Sequence, residues 1–180
     1  MREFITLLAL FMLSVYLGYV WAVNNPGPSE RLIKNIFKSF VFIKDLPSVV
    51  IFLVIFVNNA VKSLISMLLG LFLGIVPITF VVFNGFILGM VSGVASKDVG
   101  IWRVALMLIP HGVLEIPAVL IACSYGLRLG LAIIKKLRGI RVNLTGELKR
   151  ALGVYIKYVV PLLLIAAFVE TYITPIISQA

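Results

Sequence analysis

Long uninterrupted apolar runs dominate the chain and are separated by short polar or basic segments. A run of about 20 apolar residues can cross the hydrocarbon core of a bilayer as an α-helix, whereas a barrel strand would alternate apolar and polar residues. Backbone amides in hydrocarbon need partners within the protein, so these runs are predicted to be helical. The pattern predicts five spans, at residues 4–23, 47–69, 77–95, 101–127 and 151–173.

Two charged segments lie between the predicted spans. Residues 29–44 place apolar and basic side chains on different sides of a helix, which is typical of an amphipathic helix in the membrane interface. Residues 128–150 contain seven basic residues against Glu147 alone and are predicted to form a hairpin. Because positive loops stay in the cytoplasm, this hairpin is expected there, with the N-terminus cytoplasmic and the C-terminus outside the cell membrane.

Composition agrees with a membrane protein. The 180 residues are 62% hydrophobic and 13% charged, whereas soluble domains are about 45–50% apolar and about 25% charged. The predicted fold class is therefore all-α, a single polytopic membrane domain of about five transmembrane helices with an amphipathic interfacial helix.

The net charge of +9 bears on the partners of the chain. With no basic domain outside the predicted spans, contact with membrane lipid, including anionic lipid, is expected rather than nucleic-acid binding. The residues expected to face lipid headgroups are Lys135, Lys136, Arg138 and Arg141.

Enzyme chemistry has little support in the residue types. The chain has one histidine and one cysteine, and it lacks the HExxH pattern of metallopeptidases. A zinc site needs three or four ligands from His, Cys or acidic residues. We therefore expect no catalytic residues, no metal and no cofactor.

Glycines at four-residue spacing are predicted to form helix-packing faces. Helices in lipid associate through close contacts over small residues, because burial away from lipid gives little hydrophobic gain. The third span is expected to pack its stripe against the second or fourth span of the same chain, and the alternative is a subunit interface. The glycines in question are Gly70, Gly74, Gly85, Gly89 and Gly93.

Polar side chains inside the predicted spans form the candidate site. A charged group near the middle of a bilayer is costly and needs a partner or water. The hypothesis is a mid-membrane cluster in which Glu115 pairs with Lys62 or accepts hydrogen bonds from asparagines. Such a cluster either fixes helix register or binds a proton, an ion or a small polar solute. Its predicted members are Asn58, Asn59, Lys62, Asn84, His111 and Glu115.

The order of several of these residues resembles the stage II sporulation protein M family of integral membrane proteins. The matching pieces are Asn58-Asn59, Gly70 with Gly74, Asn84-Gly85 with Gly89, and Pro110-His111-Gly112 with Glu115. The resemblance covers about residues 45–125. It implies a five-span protein and, in spore formers, a membrane scaffold that recruits peptidoglycan-degrading partners.

Two functions remain open at this point. One is a non-enzymatic membrane scaffold or assembly protein, a homodimer or other homo-oligomer with membrane or cell-envelope protein partners. The alternative is a small transporter or channel for an ion, a proton or a small polar solute. Helices interrupted near residues 70–77 and 110–117, or a hydrated cavity at Glu115, would favour transport. A closed, dry core would favour the scaffold.

Overall fold

The computed structural model describes residues 1–38 and 46–175, apart from the side chains of residues 37, 105 and 107–111. This part of the chain is helical and contains no strand. The helices are α1 (Arg2–Asn24), α2 (Pro26–Phe37), α3 (Ser48–Leu68), α4 (Ile75–Val99), α5 (Ile101–Leu137) and α6 (Leu144–Ile173).

The predicted membrane fold is confirmed. In the described residues, five helical stretches are long and apolar enough to cross a membrane: Arg2–Asn24, Ser48–Leu71, Ile75–Val99, Gly112–Leu137 and Leu144–Ile173. The protein is thus an all-α, multi-pass membrane bundle. The sides of the membrane that its ends face stay a prediction.

The predicted basic hairpin at 128–150 is mostly helical. Helix α5 continues through Arg128 and ends at Leu137, and α6 begins at Leu144. Gly139 has φ of 79°, which a residue with a side chain rarely adopts, and the chain leaves the helix there. Asn143 then caps α6, because its side-chain oxygen accepts a hydrogen bond from the Gly146 amide at 2.9 Å.

The helix predicted at 29–44 begins earlier than its charge pattern indicated. Its first residue is Pro26, because proline in the first turn needs no amide hydrogen and is preset for the helical φ. Ser29 is therefore inside the helix, fully buried, with its hydroxyl donating to the Asn25 carbonyl at 2.5 Å. Residues 39–44 of the predicted segment lie outside the described residues.

Helix α5 is the centre of the bundle. Helices α1 and α4 pack against it on one side, and α3 and α6 pack against it on the other. Each side has its own buried apolar cluster, one including Leu7, Val81 and Leu120 and the other including Met67, Ala122 and Leu163.

The glycine stripe of α4 packs against α1 of the same chain. A Cβ added at Gly89 would collide with the backbone carbonyl of Val15, and one at Gly93 would lie 2.9 Å from the Cβ of Ala22. The prediction that this stripe packs against the second or fourth span was therefore wrong.

The reason is a matching small-residue face on α1, formed by Ser14, Gly18 and Ala22, all of them buried. A Cβ at Gly18 would meet the Phe86 carbonyl, and the Ser14 hydroxyl donates to the Val82 carbonyl. Small residues on both helices let the two backbones approach, which is the main source of packing energy in lipid.

A second close contact joins the end of α3 to α5. Gly70 lies against the backbone of Gly126, and Gly130 lies against the backbone of Gly74. From the first contact to the second, both segments advance by four residues in the same direction. The end of α3 and α5 therefore run parallel here. Gly74 also needs its glycine for conformation, since φ is 77° at the turn into α4.

We predict that Gly89→Ala destabilises the protein, although alanine is the better helix former. The added methyl group has no space because it meets the Val15 backbone, and overpacking of this kind costs about 1–3 kcal/mol or more. Gly153→Ala is the matched control, since a Cβ at Gly153 of α6 has nothing within 4 Å. Thermal unfolding in detergent should show a loss for the first variant and none for the second. Equal behaviour of the two variants would contradict the α1–α4 contact.

Candidate functional site

Polar side chains on three neighbouring helices form the candidate site, which we call the polar seam and define as Asn58, Asn59, Lys62, Glu115 and Glu170. The first three are on α3, Glu115 is on α5 and Glu170 is on α6. The last turn of α6, Val169–Ile173, contains Glu170 and packs against both α3 and α5.

By helix rise, the seam residues of α3 and Glu115 lie at similar heights in the bundle, whereas Glu170 lies three residues from the end of the Leu144–Ile173 stretch. Asn58 to Lys62 occupy the middle of the Ser48–Leu71 span. Glu115 precedes Gly126 by about 16 Å along α5, and Gly126 lies against Gly70 of the parallel helix α3. Glu115 is therefore level with about Asn58.

Charge interactions connect the seam. The Glu115 carboxyl group is half-buried and interacts electrostatically with two other side chains: Glu170, which repels it, and Lys62, which attracts it. The effect of Glu170 is the larger of the two. The Lys62 side chain is exposed on α3. A charge effect of this kind acts over several ångströms and does not show a contact, so the pairing of Lys62 with Glu115 stays a prediction.

The two asparagines of α3 hydrogen-bond to each other. The Asn58 amide donates to the side-chain oxygen of Asn59 at 3.2 Å. In the described part of the chain, neither amide hydrogen-bonds to Glu115. Their expected role as direct donors to that carboxylate therefore has no support in this geometry.

The other two predicted members lie apart from this group or outside the description. Asn84 is exposed on α4 and donates to the carbonyl of Phe80 in its own helix at 2.7 Å. His111 is on α5, one turn before Glu115, and its side chain lies outside the described residues.

A buried group of hydrogen bonds next to the seam residues of α3 joins α3 to α6. The Tyr155 hydroxyl donates to the Ala60 carbonyl at 2.6 Å and lies 3.2 Å from the Ser63 hydroxyl. Both Ser63 and Tyr155 are buried. Tyr155 begins a π-turn, Tyr155–Val159, and Glu170 lies in a second one, Val169–Ile173. Such widened turns occur often at functional sites.

Sequence analysis missed Glu170 and Tyr155 as members of this region. Glu170 could have been predicted from the sequence, because an acidic residue inside an apolar span is itself a signal. Tyr155 could not be found, since tyrosine is common near span ends and its partner is a backbone carbonyl.

Helix continuity also bears on the site. Helix α5 passes through Pro110 and Pro117 without a break, and the interruption after α3 lies at the end of that span, beside Gly126. Among the concave regions of the described residues, one of about 350 Å³ and one of about 850 Å³ have linings that include no seam residue. The first lies between α1, α5 and α6, and the second between α1 and α4.

The basic residues expected at the lipid surface are all exposed. Lys135 and Lys136 are in the last turn of α5, and Arg138 and Arg141 are in the connection to α6. The described residues hold no group of three or more His, Cys, Asp or Glu side chains that could bind a metal ion.

The five long apolar helices define a polytopic α-helical membrane protein. The chain belongs to the stage II sporulation protein M family, whose model matches residues 7–175. An uncharacterised protein of Methanocaldococcus jannaschii is 28% identical over 175 residues, covering 95% of this chain and 93% of that protein. No solved structure matches the chain.

We predict that Lys62 and Glu115 are coupled in stability. Lys62→Met leaves the half-buried carboxylate without its cation, and Glu115→Gln removes the charge that Lys62 compensates. The double variant should therefore be more stable than the sum of the single losses indicates, by at least about 0.5 kcal/mol. Unfolding of the four proteins in mixed micelles measures this coupling.

Lys157→Met combined with Glu115→Gln is the matched control, because Lys157 packs over the Tyr158 ring and is not among the charges acting on Glu115. That pair should be additive. Additive stability losses for Lys62→Met and Glu115→Gln as well would contradict the predicted pairing of Lys62 with Glu115.

Proposed function

We propose that this protein is a non-enzymatic membrane scaffold that assembles as a homodimer through the exposed face of α3 and the polar seam. The observation that carries the proposal is Lys62, a charged side chain on an exposed helix face near the middle of a span.

Lipid is a poor neighbour for that face. A lysine at the centre of a span costs about 2.5–3.5 kcal/mol on insertion scales, and reaching toward the headgroups relieves only part of this from mid-depth. Helix α3 is also the least covered span, with 6% of its most apolar window buried against 56% for α5. A protein partner that supplies acidic groups would remove this cost.

A second copy of the chain has the required chemistry. The seam carries Lys62 together with Glu115 and Glu170, so the same face offers both signs of charge. In a two-fold contact, each surface must complement itself, and a lysine facing the partner's acidic groups satisfies this requirement. Val57, Val61 and Ile65 recur at four-residue spacing on α3 and are all about half exposed, which supplies an apolar stripe for the contact.

The geometry supports assembly over transport. The unbroken α5 lacks the discontinuity at membrane depth that transporter sites commonly use. The family name refers to sporulation. The scaffold role implied by the family resemblance would be carried out through protein partners. For this chain, the exposed α3 face is where we place the first such partner, a second copy.

Cysteine cross-linking in native membranes tests the dimer. In a Cys123→Ser background, Val61→Cys on α3 should form an intermolecular disulfide, because Val61 faces the proposed two-fold contact. Met12→Cys on α1 is the matched control: it is 59% exposed against 47% for Val61, and both lie in the middle of a span. Dimer bands for Val61→Cys alone support the proposal. Equal bands for both variants, or none for either, would overturn it.

Liposome flux separates the scaffold from the transporter. We expect proton and potassium flux no greater than in empty liposomes. A flux that depends on the protein and disappears in Glu115→Gln would show that the seam carries a solute, and the scaffold proposal would then fail.

A further inference from the structure

A groove between α1 and α6, with α5 as its floor, is separate from the polar seam. It has a volume of about 350 Å³ and is lined from all three helices. Its walls are mostly apolar and include Phe4, Ile121 and Leu162, while Glu3 and Arg128 lie at one end of it. A charged end and an apolar interior are the two features of a bound amphiphile's site.

The charged end lies at the edge of the hydrocarbon. Glu3 is near the start of α1, about 15 Å from the middle of that span by helix rise. This distance is half the thickness of the hydrocarbon core, about 30 Å. The Arg128 guanidinium lies beside Glu3, so the helix rise of α1 puts both groups near the edge of the hydrocarbon, next to the headgroup region.

Arg128 is held in place but retains donors. Its Nε atom is 4.0 Å from Glu3 Oε1, and its guanidinium lies over the Tyr125 ring at 5.4 Å from the ring centre. Glu3 is the one ion-pair partner that the described residues give to Arg128. A guanidinium has five N–H donors in a planar fork, so the Nη groups remain available to a phosphate.

A second cation, Lys157, lies next to a residue of the groove wall. Lys157 of α6 is exposed, with its ammonium 5.3 Å from the centre of the Tyr158 ring, and Tyr158 lines the groove. Lys157 therefore adds positive potential next to the Tyr158 side of the groove wall, which favours an anionic ligand over a cationic one.

We infer that this groove binds one anionic phospholipid. The phosphate lies on the Arg128 fork, and an acyl chain follows the apolar wall past Ile121 and Leu162 toward the bilayer interior. A free phosphate would use the charged end only and leave the apolar wall uncovered. The basic residues of the α5–α6 connection, by contrast, offer exposed charge without an adjoining groove.

The test measures retention of phosphatidylglycerol by the purified full chain in detergent, using native mass spectrometry, with phosphatidylcholine as the neutral comparison. Arg128→Gln should lower phosphatidylglycerol affinity about tenfold, because it removes charge-assisted hydrogen bonds to the phosphate. Arg138→Gln, an exposed arginine at the end of α5, is the matched control and should change affinity less than about twofold. Equal losses for both arginines would show a diffuse basic surface and overturn the site.

Two further variants remain informative if Arg128→Gln folds poorly. Glu3→Gln removes the carboxylate that competes for Arg128 and should raise affinity, a gain that misfolding cannot produce. Ile121→Trp fills the apolar wall and should lower retention with every charge intact. Unchanged retention in both variants, equal binding of phosphatidylcholine, or full displacement by millimolar inorganic phosphate would each contradict a lipid site in this groove.

Discussion

Direct backbone contact between helices, made possible by small side chains, is the interaction on which this structure depends. In lipid, helices gain little by burying apolar surface, and close packing supplies the energy instead. The stripe Gly85, Gly89 and Gly93 admits α1, and Gly70 admits the Gly126 backbone of α5. These two contacts fix which helices are neighbours, and every other feature of the bundle is arranged around them.

The consequence is an uneven distribution of polar groups. With α1 and α4 closely joined on one side of α5, the residues that lipid tolerates least are found on the other side, between α3, α5 and α6. There the helices meet through hydrogen bonds and charge, as in the contact of Tyr155 with the Ala60 carbonyl. The same uneven packing leaves α1 and α6 apart over α5, which creates the groove with Arg128 at its end. The closely packed α1–α4 side, the polar side with α3 and α6, and the groove between α1 and α6 thus follow from one packing rule.

The sequence could predict the helices and their number, because continuous apolar runs admit no other structure in lipid. It also predicts a pairing of Lys62 with Glu115, since charges at mid-depth require partners, and that pairing stays a prediction. It could not assign the neighbour of the α4 glycines. A stripe of small residues can pack against many different helices. The matching face of Ser14, Gly18 and Ala22 on α1 is informative only when both helices are considered together. Asn84 shows the opposite limit: its spacing fits a cluster, but an amide can satisfy itself on its own helix, as here with Phe80.

The parallel contact of α1 with α4 is the central claim, and a disulfide between them tests it most directly. An ideal Cβ at Gly93 lies 2.9 Å from the Ala22 Cβ, close enough for a disulfide after a small outward shift of α1. In a Cys123→Ser background, Ala22→Cys with Gly93→Cys should form an intramolecular disulfide in native membranes. Ala22→Cys with Val82→Cys should form no disulfide, because Val82 lies about 16 Å from Gly93 toward the start of α4. Cross-linking of the second pair in place of the first would contradict the packing described for this family member.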